Sequence, residues 1–440
     1  MRKKVYSPGN TSCHTYTPYK VTKKMTKFNF RSLACLLILS ALSFPGFARP
    51  PIEIDPCIAD LDVDCLPQAQ APTIYSTGTV YTPNWQAVMW VDGVRTDLPP
   101  LVNAYNTGAK SANSIFVVDN FATGEPDVYV AGAANITTNN AMAADSSAMI
   151  WKNGEIFSQI PSISSSYVNQ FAGANSLFIE NGNIYSAGYT DKKGTSISGP
   201  TNNFADMKPV SWRNGLQSIL ALDTGSYRGA VNAIYVRNGN TYAVGNHNFT
   251  LENTPSTPYG AVEVWINNVL IPGNNVPLTE GNAIFATTSK LYIAGTGGPF
   301  INQLTLPSKA SYVFRSTSLG TASSATNVFS YVDLNSNGNK ASATGIVVVG
   351  TKVYVVGWEL RPSNKYVAKL WINGVGIDLS QESESAVATC IYVYGNDVYV
   401  GGSTNNIINQ RPKAVIWKNG TPIDLNGSEL GSHITSIFVK

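Results

Sequence analysis

Val128-Tyr-Val-Ala-Gly132 decides the fold, because the chain repeats it. Versions stand at Ile74–Gly78, Ile184–Gly188, Thr241–Gly245, Leu291–Gly295, Val353–Gly357 and Val398–Gly402, and all seven have Tyr three residues before Gly. The glycines lie 54, 56, 57, 50, 62 and 45 residues apart. A period near 50 made of short apolar runs marks propeller blades or stacked arrays, in which one unit buries its faces only against its neighbours.

Three other runs recur in fixed order around this one. A Trp run with a turn follows: Trp90-Val-Asp-Gly93, Trp151-Lys-Asn-Gly154, Trp212-Arg-Asn-Gly215, Trp265-Ile-Asn-Asn268, Trp371-Ile-Asn-Gly374 and Trp417-Lys-Asn-Gly420, with Phe314 in the Trp place of the fifth copy. A third run often ends Asp-Leu, as at Asp97-Leu98, Asp378-Leu379 and Asp424-Leu425. A fourth starts at Ile115, Leu177, Ile234, Ile284, Ile346, Ile391 and Ile437. Each run is four to six residues, rich in β-branched and aromatic side chains and bounded by Gly and Asn, which reads as strand. Asn-Gly and Asp-Gly suit type I′ hairpin turns, where both central residues need φ > 0. The unit is therefore a four-stranded antiparallel meander, with strands a (Ile), b (Tyr–Gly), c (Trp) and d (Asp-Leu).

The ends of the repeat predict a closed ring. The first recognisable element, at Ile74, is a b strand with no a before it; the last, Ile437-Phe-Val-Lys440, is an a strand with no b after it. The last strand can complete the first blade, and closure removes exposed sheet edges. The expected fold is all-β, a seven-bladed β-propeller over residues 73 to 440. Such a ring is expected as a monomer.

The N-terminus predicts export. Lys23, Lys24, Lys27 and Arg31 precede the apolar run Leu33–Leu42, and Gly46-Phe47-Ala48 offers small residues for cleavage. Residues 1–48 thus read as a secretory signal peptide, with Met25 an alternative start. Cleavage would remove eight of the 30 basic residues and none of the 27 acidic ones, leaving 22 against 27 and a net charge of −5. A nucleic-acid partner would call for a basic footprint. No transmembrane anchor is expected; the place is secreted, periplasmic or cell-surface. In the Pro- and Asp-containing leader, residues 49–72, Cys57 and Cys65 could close a small disulfide loop in an oxidising compartment. Cys390 reads as a buried small hydrophobe.

The b–c connections are long and unlike one another: Ala133–Ser147, Tyr189–Lys208, Asn246–Gly260, Thr296–Lys309, Trp358–Val367 and Ser403–Lys413. They share one face of the disc with the d–a connections, and insertions confined to one face of a repeat array often mark its binding face. Six of the eight Trp residues occupy the repeated c slot and read as core; Trp85 and Trp358 fall on b–c connections instead. An exposed Trp beside polar and cationic side chains suits a sugar or peptide surface. The candidate surface is Trp358 with Glu359 and Arg361, the next blade's Asn405, Asn406 and Arg411, and Trp85.

Asp333-Leu-Asn-Ser-Asn-Gly338 matches the first half of a calcium loop, making Asp333, Asn335 and Asn337 candidate ligands. The second half fails, since Thr344 stands where the closing Glu belongs. No cofactor is otherwise expected. Only His247 and His433 remain after cleavage, which leaves little for a His-based metal site or triad, and a lone His on a loop reads as a surface residue. Two function classes stay open. One is a non-catalytic binding module for a glycan or protein ligand. The other is a glycan-active hydrolase or lyase with carboxylates converging at the central channel.

Asn181-Gly-Asn-Ile-Tyr-Ser-Ala-Gly188 resembles the kelch repeat, whose second strand ends in a Gly pair; here only Gly401-Gly402 is such a pair, and Trp precedes the c–d turn rather than following it. The chain more closely resembles secreted bacterial propellers with a W-x-N-G and V-Y-V-A-G repeat, a resemblance that implies the fold and no activity. The S-x-D-x-G-x-T-W box of sialidase-like propellers does not occur.

Overall fold

The computed structural model describes residues 71–81, 85–100, 109–135, 146–160, 172–191, 207–222, 228–248, 260–271, 276–297, 309–316, 329–335, 338–405, 411–425 and 431–440. The signal-peptide segment, Cys57, Cys65, Asn337 and Asn406 lie outside the described residues. No described helix is long and apolar enough to cross a membrane.

The described strands form seven four-stranded antiparallel sheets, each in the order a-b-c-d. The protein is a seven-bladed β-propeller. Blade 1 joins both ends of the ring: its a strand is Ser432–Val439, and its b, c and d strands are Ile74–Tyr81, Trp85–Val91 and Val94–Asp97. Thr73 and Lys440 exchange backbone hydrogen bonds of 2.8 and 3.1 Å just beyond the paired strands. The six repeated Trp side chains are all essentially fully buried between blades.

The Asn of W-x-N-G does more than turn the chain. It adopts φ of 50–52° at positions 153, 214, 267, 373 and 419, and Asp92 adopts 48°. Each of these six side chains accepts the N–H of a b-strand residue, as Asn153 Oδ1 does from Val128 at 2.7 Å. The backbone N–H of the same residue returns a bond to that b residue's carbonyl. The c–d turn is therefore latched to strand b.

The repeated Gly lies within strand b rather than at its boundary. The b strands are eight or nine residues long and run past it, to Tyr81, Asn135, Asp191, Asn248, Gly297, Leu360 and Asn405. Opposite this Gly every a strand has a register shift, as at Ala112/Ser114 and Ala343/Gly345. The bulge presses an a-strand carbonyl onto the Gly: a Cβ there would lie 1.8–2.1 Å from that oxygen in all seven blades. Only glycine fits so close a backbone approach.

The bulged residue is Asn113, Asn175, Asn232, Asn282, Thr344, Thr389 or Thr435, and its side chain joins each blade to the next. Asn113 donates to Ala174 O at 2.9 Å, Asn175 to Val231 O at 2.8 Å, Asn232 to Gly281 O at 2.8 Å and Asn282 to Ala343 O at 2.9 Å. Thr344 donates to Ala388 O at 2.8 Å, Thr389 to Ile434 O at 2.6 Å and Thr435 to Ala112 O at 2.6 Å, closing the circuit. Each such bond contributes about 0.5–1.5 kcal/mol net.

A collar lies further along the a strands, opposite the Tyr of the b motif. The seven equivalent residues are Phe438, Phe116, Phe178, Tyr235, Phe285, Val347 and Tyr392 in blades 1 to 7. The aromatic members touch in sequence from Tyr392 through Phe438, Phe116, Phe178 and Tyr235 to Phe285, with centroid spacings of 4.6–5.1 Å and interplanar angles of 44–59°.

Candidate functional site

The b–c end of the ring brings the sequence candidates onto three consecutive blades, 6, 7 and 1. Trp358 is a strand residue, paired with Ala368 and followed by Glu359 and Leu360 in the same strand, not a loop residue as the sequence suggested. The difference follows from the b strand continuing past Gly357. Trp358 is half-buried, with its ring edge-on to Tyr366 at 5.0 Å. The Tyr366 N–H donates to Ser385 Oγ at 3.2 Å, and the Asn405 N–H to Ser385 O at 2.6 Å. Ser385 thus links the blade 6 aromatic pair to Asn405 on blade 7.

Trp85 opens strand c of blade 1 and is 47% exposed. It meets Tyr81 at 5.5 Å and His433 at 5.8 Å, both edge-on. The Arg411 guanidinium of blade 7 lies 4.6 Å from the Tyr81 ring centre, within cation–π range. Arg411 therefore joins Trp85, by way of Tyr81, rather than Trp358. His433 hydrogen-bonds Thr79 Oγ1 and sits below its ordinary pKa because burial disfavours its charged form. Tyr81 and Tyr366 were missed in the sequence, which read a lone His such as His433 as a surface residue; the signal of the two tyrosines was position, since they stand where a b strand leaves and a c strand begins.

Glu359 and Arg361 play another part. The Glu359 carboxylate is buried, with Oε1 accepting from Arg361 Nη1 at 2.7 Å and Asn339 Nδ2 at 2.8 Å, and Lys369 Nζ 3.7 Å from Oε2. Asp378 binds both cations, Arg361 at 2.6 Å and Lys369 at 2.5 Å. These four ionic side chains satisfy one another within the blade.

The network occupies a register slot that recurs around the ring, formed by the residue two after the Gly and the c-strand residue opposite the Gly. In blade 4 the slot holds His247 and Glu263, with Nδ1 and Oε1 2.5 Å apart and both side chains buried. The sequence had placed His247 on a loop surface; it lies in strand b, Asn240–Asn248, because that strand also outruns its Gly.

The two described calcium candidates, Asp333 and Asn335, are engaged with the protein. Asp333 Oδ2 pairs with Lys309 at 2.6 Å, Asp333 Oδ1 accepts the Asn335 N–H at 2.9 Å, and Asn335 Nδ2 donates to Asn339 O at 2.5 Å. Among the described residues no three His, Cys, Asp or Glu side chains are grouped to hold a metal ion. Cys390 packs among blade 7 and blade 1 core residues, and burial pushes its thiol up to about 12.

No known protein family matches the chain, and no curated protein is similar to it. Among solved structures it is similar to a Trypanosoma rangeli sialidase mutant displaying trans-sialidase activity (TM-score 0.41, 11% identity, 78% of this chain and 56% of that one). It is also similar to the β-propeller domain of the Trilobed protease from Pyrococcus furiosus (TM-score 0.38, 9% identity, 81% and 94%) and to polysaccharide lyase Uly1 (TM-score 0.39, 11% identity, 78% and 85%). The chain spans little more than half the length of the sialidase.

Proposed function

We propose that the propeller is an exported, non-catalytic binding module that takes a glycan on the b–c rim of blades 6, 7 and 1. One observation carries this reading. Two aromatic pairs, Trp358–Tyr366 and Trp85–Tyr81, stand on the same rim, with Asn405 and Arg411 of the intervening blade between them. Flat aromatic faces take up the apolar faces of sugar rings, and amide and guanidinium groups supply directional hydrogen bonds. The collar register, which lies on the channel-lining strands, carries rings and Val347 rather than paired carboxylates.

A glycan array probed with the mature protein, run beside a hydrolysis screen on the same glycans, tests the reading. The expected result is retention of a glycan class without turnover. Trp85→Ala or Trp358→Ala should weaken that retention at least tenfold, as loss of an aromatic anchor does. Turnover of a bound glycan would replace this reading with a glycan-active enzyme. A protein captured in place of any glycan would change the ligand class.

A further inference from the structure

We propose that the central channel holds a second ligand site, a seat beside Val347 for one small planar aromatic ring bearing a hydroxyl, gripped between Phe285 and Tyr392. The site is separate from the rim and does not depend on the function proposed for it. The collar makes five consecutive ring contacts at nearly constant spacing. The angle between neighbours stays near one-seventh of a turn, so each blade presents its ring in the same way. The run breaks only at blade 6, and both interrupted steps flank Val347. Two further steps of a regular ring place Phe285 and Tyr392 about 9 Å apart, room for one more aromatic ring at ordinary contact distance from each. Val347 is partly exposed and packs against the blade 6–blade 7 core, while its neighbours Ile346 and Val348 face the blade 5–blade 6 core. A valine side chain leaves a ring-sized step of such a collar under-filled.

Polar chemistry marks the same sector. Tyr235 and Tyr392 are the two collar members with hydroxyls, and they bracket the arc containing Phe285 and Val347. Burial raises the pKa of both phenols; Arg237 takes the Tyr235 hydroxyl in a hydrogen bond and opposes its rise, whereas at Tyr392 the neighbouring Tyr394, and after it Tyr235, add electrostatically to the rise. A hydroxyl in an apolar wall favours a ligand that brings a hydrogen-bond partner. An aromatic ring fits the step by shape, and a hydroxyl on it answers the phenol of Tyr392, the collar hydroxyl that borders the step.

Phenol is the probe, added to the full mature chain. Saturation-transfer NMR should show saturable binding, and the thermal midpoint should rise with phenol concentration, as for any ligand that binds only the folded state. Cyclohexanol carries the same hydroxyl on a non-planar ring and should bind at least tenfold more weakly. Val347→Phe supplies the missing ring from the protein and should abolish phenol binding. Trp85→Ala and Trp358→Ala should leave it unchanged, which separates this site from the rim. Unsaturable binding to the parent, or equal binding to Val347→Phe, overturns the proposal. If Val347→Phe does not fold, Tyr392→Leu decides: undiminished phenol affinity overturns the seat, and at least a fivefold loss supports it.

Discussion

Blades 1 and 4 fill one buried slot in opposite ways. Beside the repeated Gly, blade 1 places Val80 and Val88, whereas blade 4 places His247 and Glu263. Blades 2, 3 and 7 resemble blade 1, with Ala134 and Met149, Thr190 and Val210, and Thr404 and Val415. Blade 6 resembles blade 4, with Glu359 and Lys369. Blade 5 lies between the two, with Gly297 and with Ser311 bonded to the Tyr331 hydroxyl at 2.7 Å. The backbone register is the same in every case. The slot therefore requires filled volume, not a particular chemistry. A buried ion pair is weak evidence for stability in itself, but removing one partner strands the other.

The largest expected effect comes from breaking the blade 4 pair. Glu263→Ala should cost about 3–5 kcal/mol in denaturant unfolding, because it leaves His247 buried without its carboxylate. His247→Val with Glu263→Val, which copies blade 1, should be neutral or stabilising by about 1–4 kcal/mol. If the double variant unfolds as readily as the single one, the slots of blades 1 and 4 are not interchangeable and the comparison fails.

A second contrast sets the two kinds of tryptophan against each other. Trp371→Ala empties a buried inter-blade position and should cost about 3–5 kcal/mol. Trp358 is half-buried against the exposed Tyr366, so Trp358→Ala should cost only about 1 kcal/mol, the centre of the range for single substitutions. Equal losses in the same denaturation series would make Trp358 a core residue and remove the best aromatic from the rim.

The smallest effect distinguishes the two histidines. His433 bonds a threonine hydroxyl, whereas His247 faces a carboxylate. Burial lowers the His433 pKa below its ordinary 6.5, so the unfolded chain takes up that proton first. Its contribution to stability is complete above about 6.5, falls as the pH drops through that value and levels off below the folded value. Thermal midpoints between pH 7.5 and 5 should fall more steeply for the parent than for His433→Phe. Parallel slopes would show that His433 is not held neutral at the blade 1–blade 7 seam.

Much of the ring was legible in the chain. The seven Tyr–Gly runs, the Trp runs and the complementary strands at Ile74 and Ile437 predicted blade number, strand order and closure, and the structure has all three. The reach of the b strands was not legible. The Gly read as a boundary, because a sequence pattern cannot show that a carbonyl of the paired a strand bulges against it. That one misreading moved Trp358 and His247 from strand to loop. It also hid the ionic network that takes up Glu359 and Arg361.

What the sequence determined by itself was whatever each blade must repeat: Asn where φ is positive, Trp where blades pack, and Gly where a bulged strand leaves no room for a Cβ. These are local requirements, met alike in every unit, so periodicity exposes them. What only the tertiary structure decided was which non-repeating residues meet. Arg411 reaches Tyr81 beside Trp85, Ser385 joins Tyr366 to Asn405, and six rings line one collar while Val347 interrupts it. Those partners are far apart in the chain or on different blades, and ring closure brings blade 7 against blade 1. Sequence spacing alone cannot report a contact that exists only once the ring has closed.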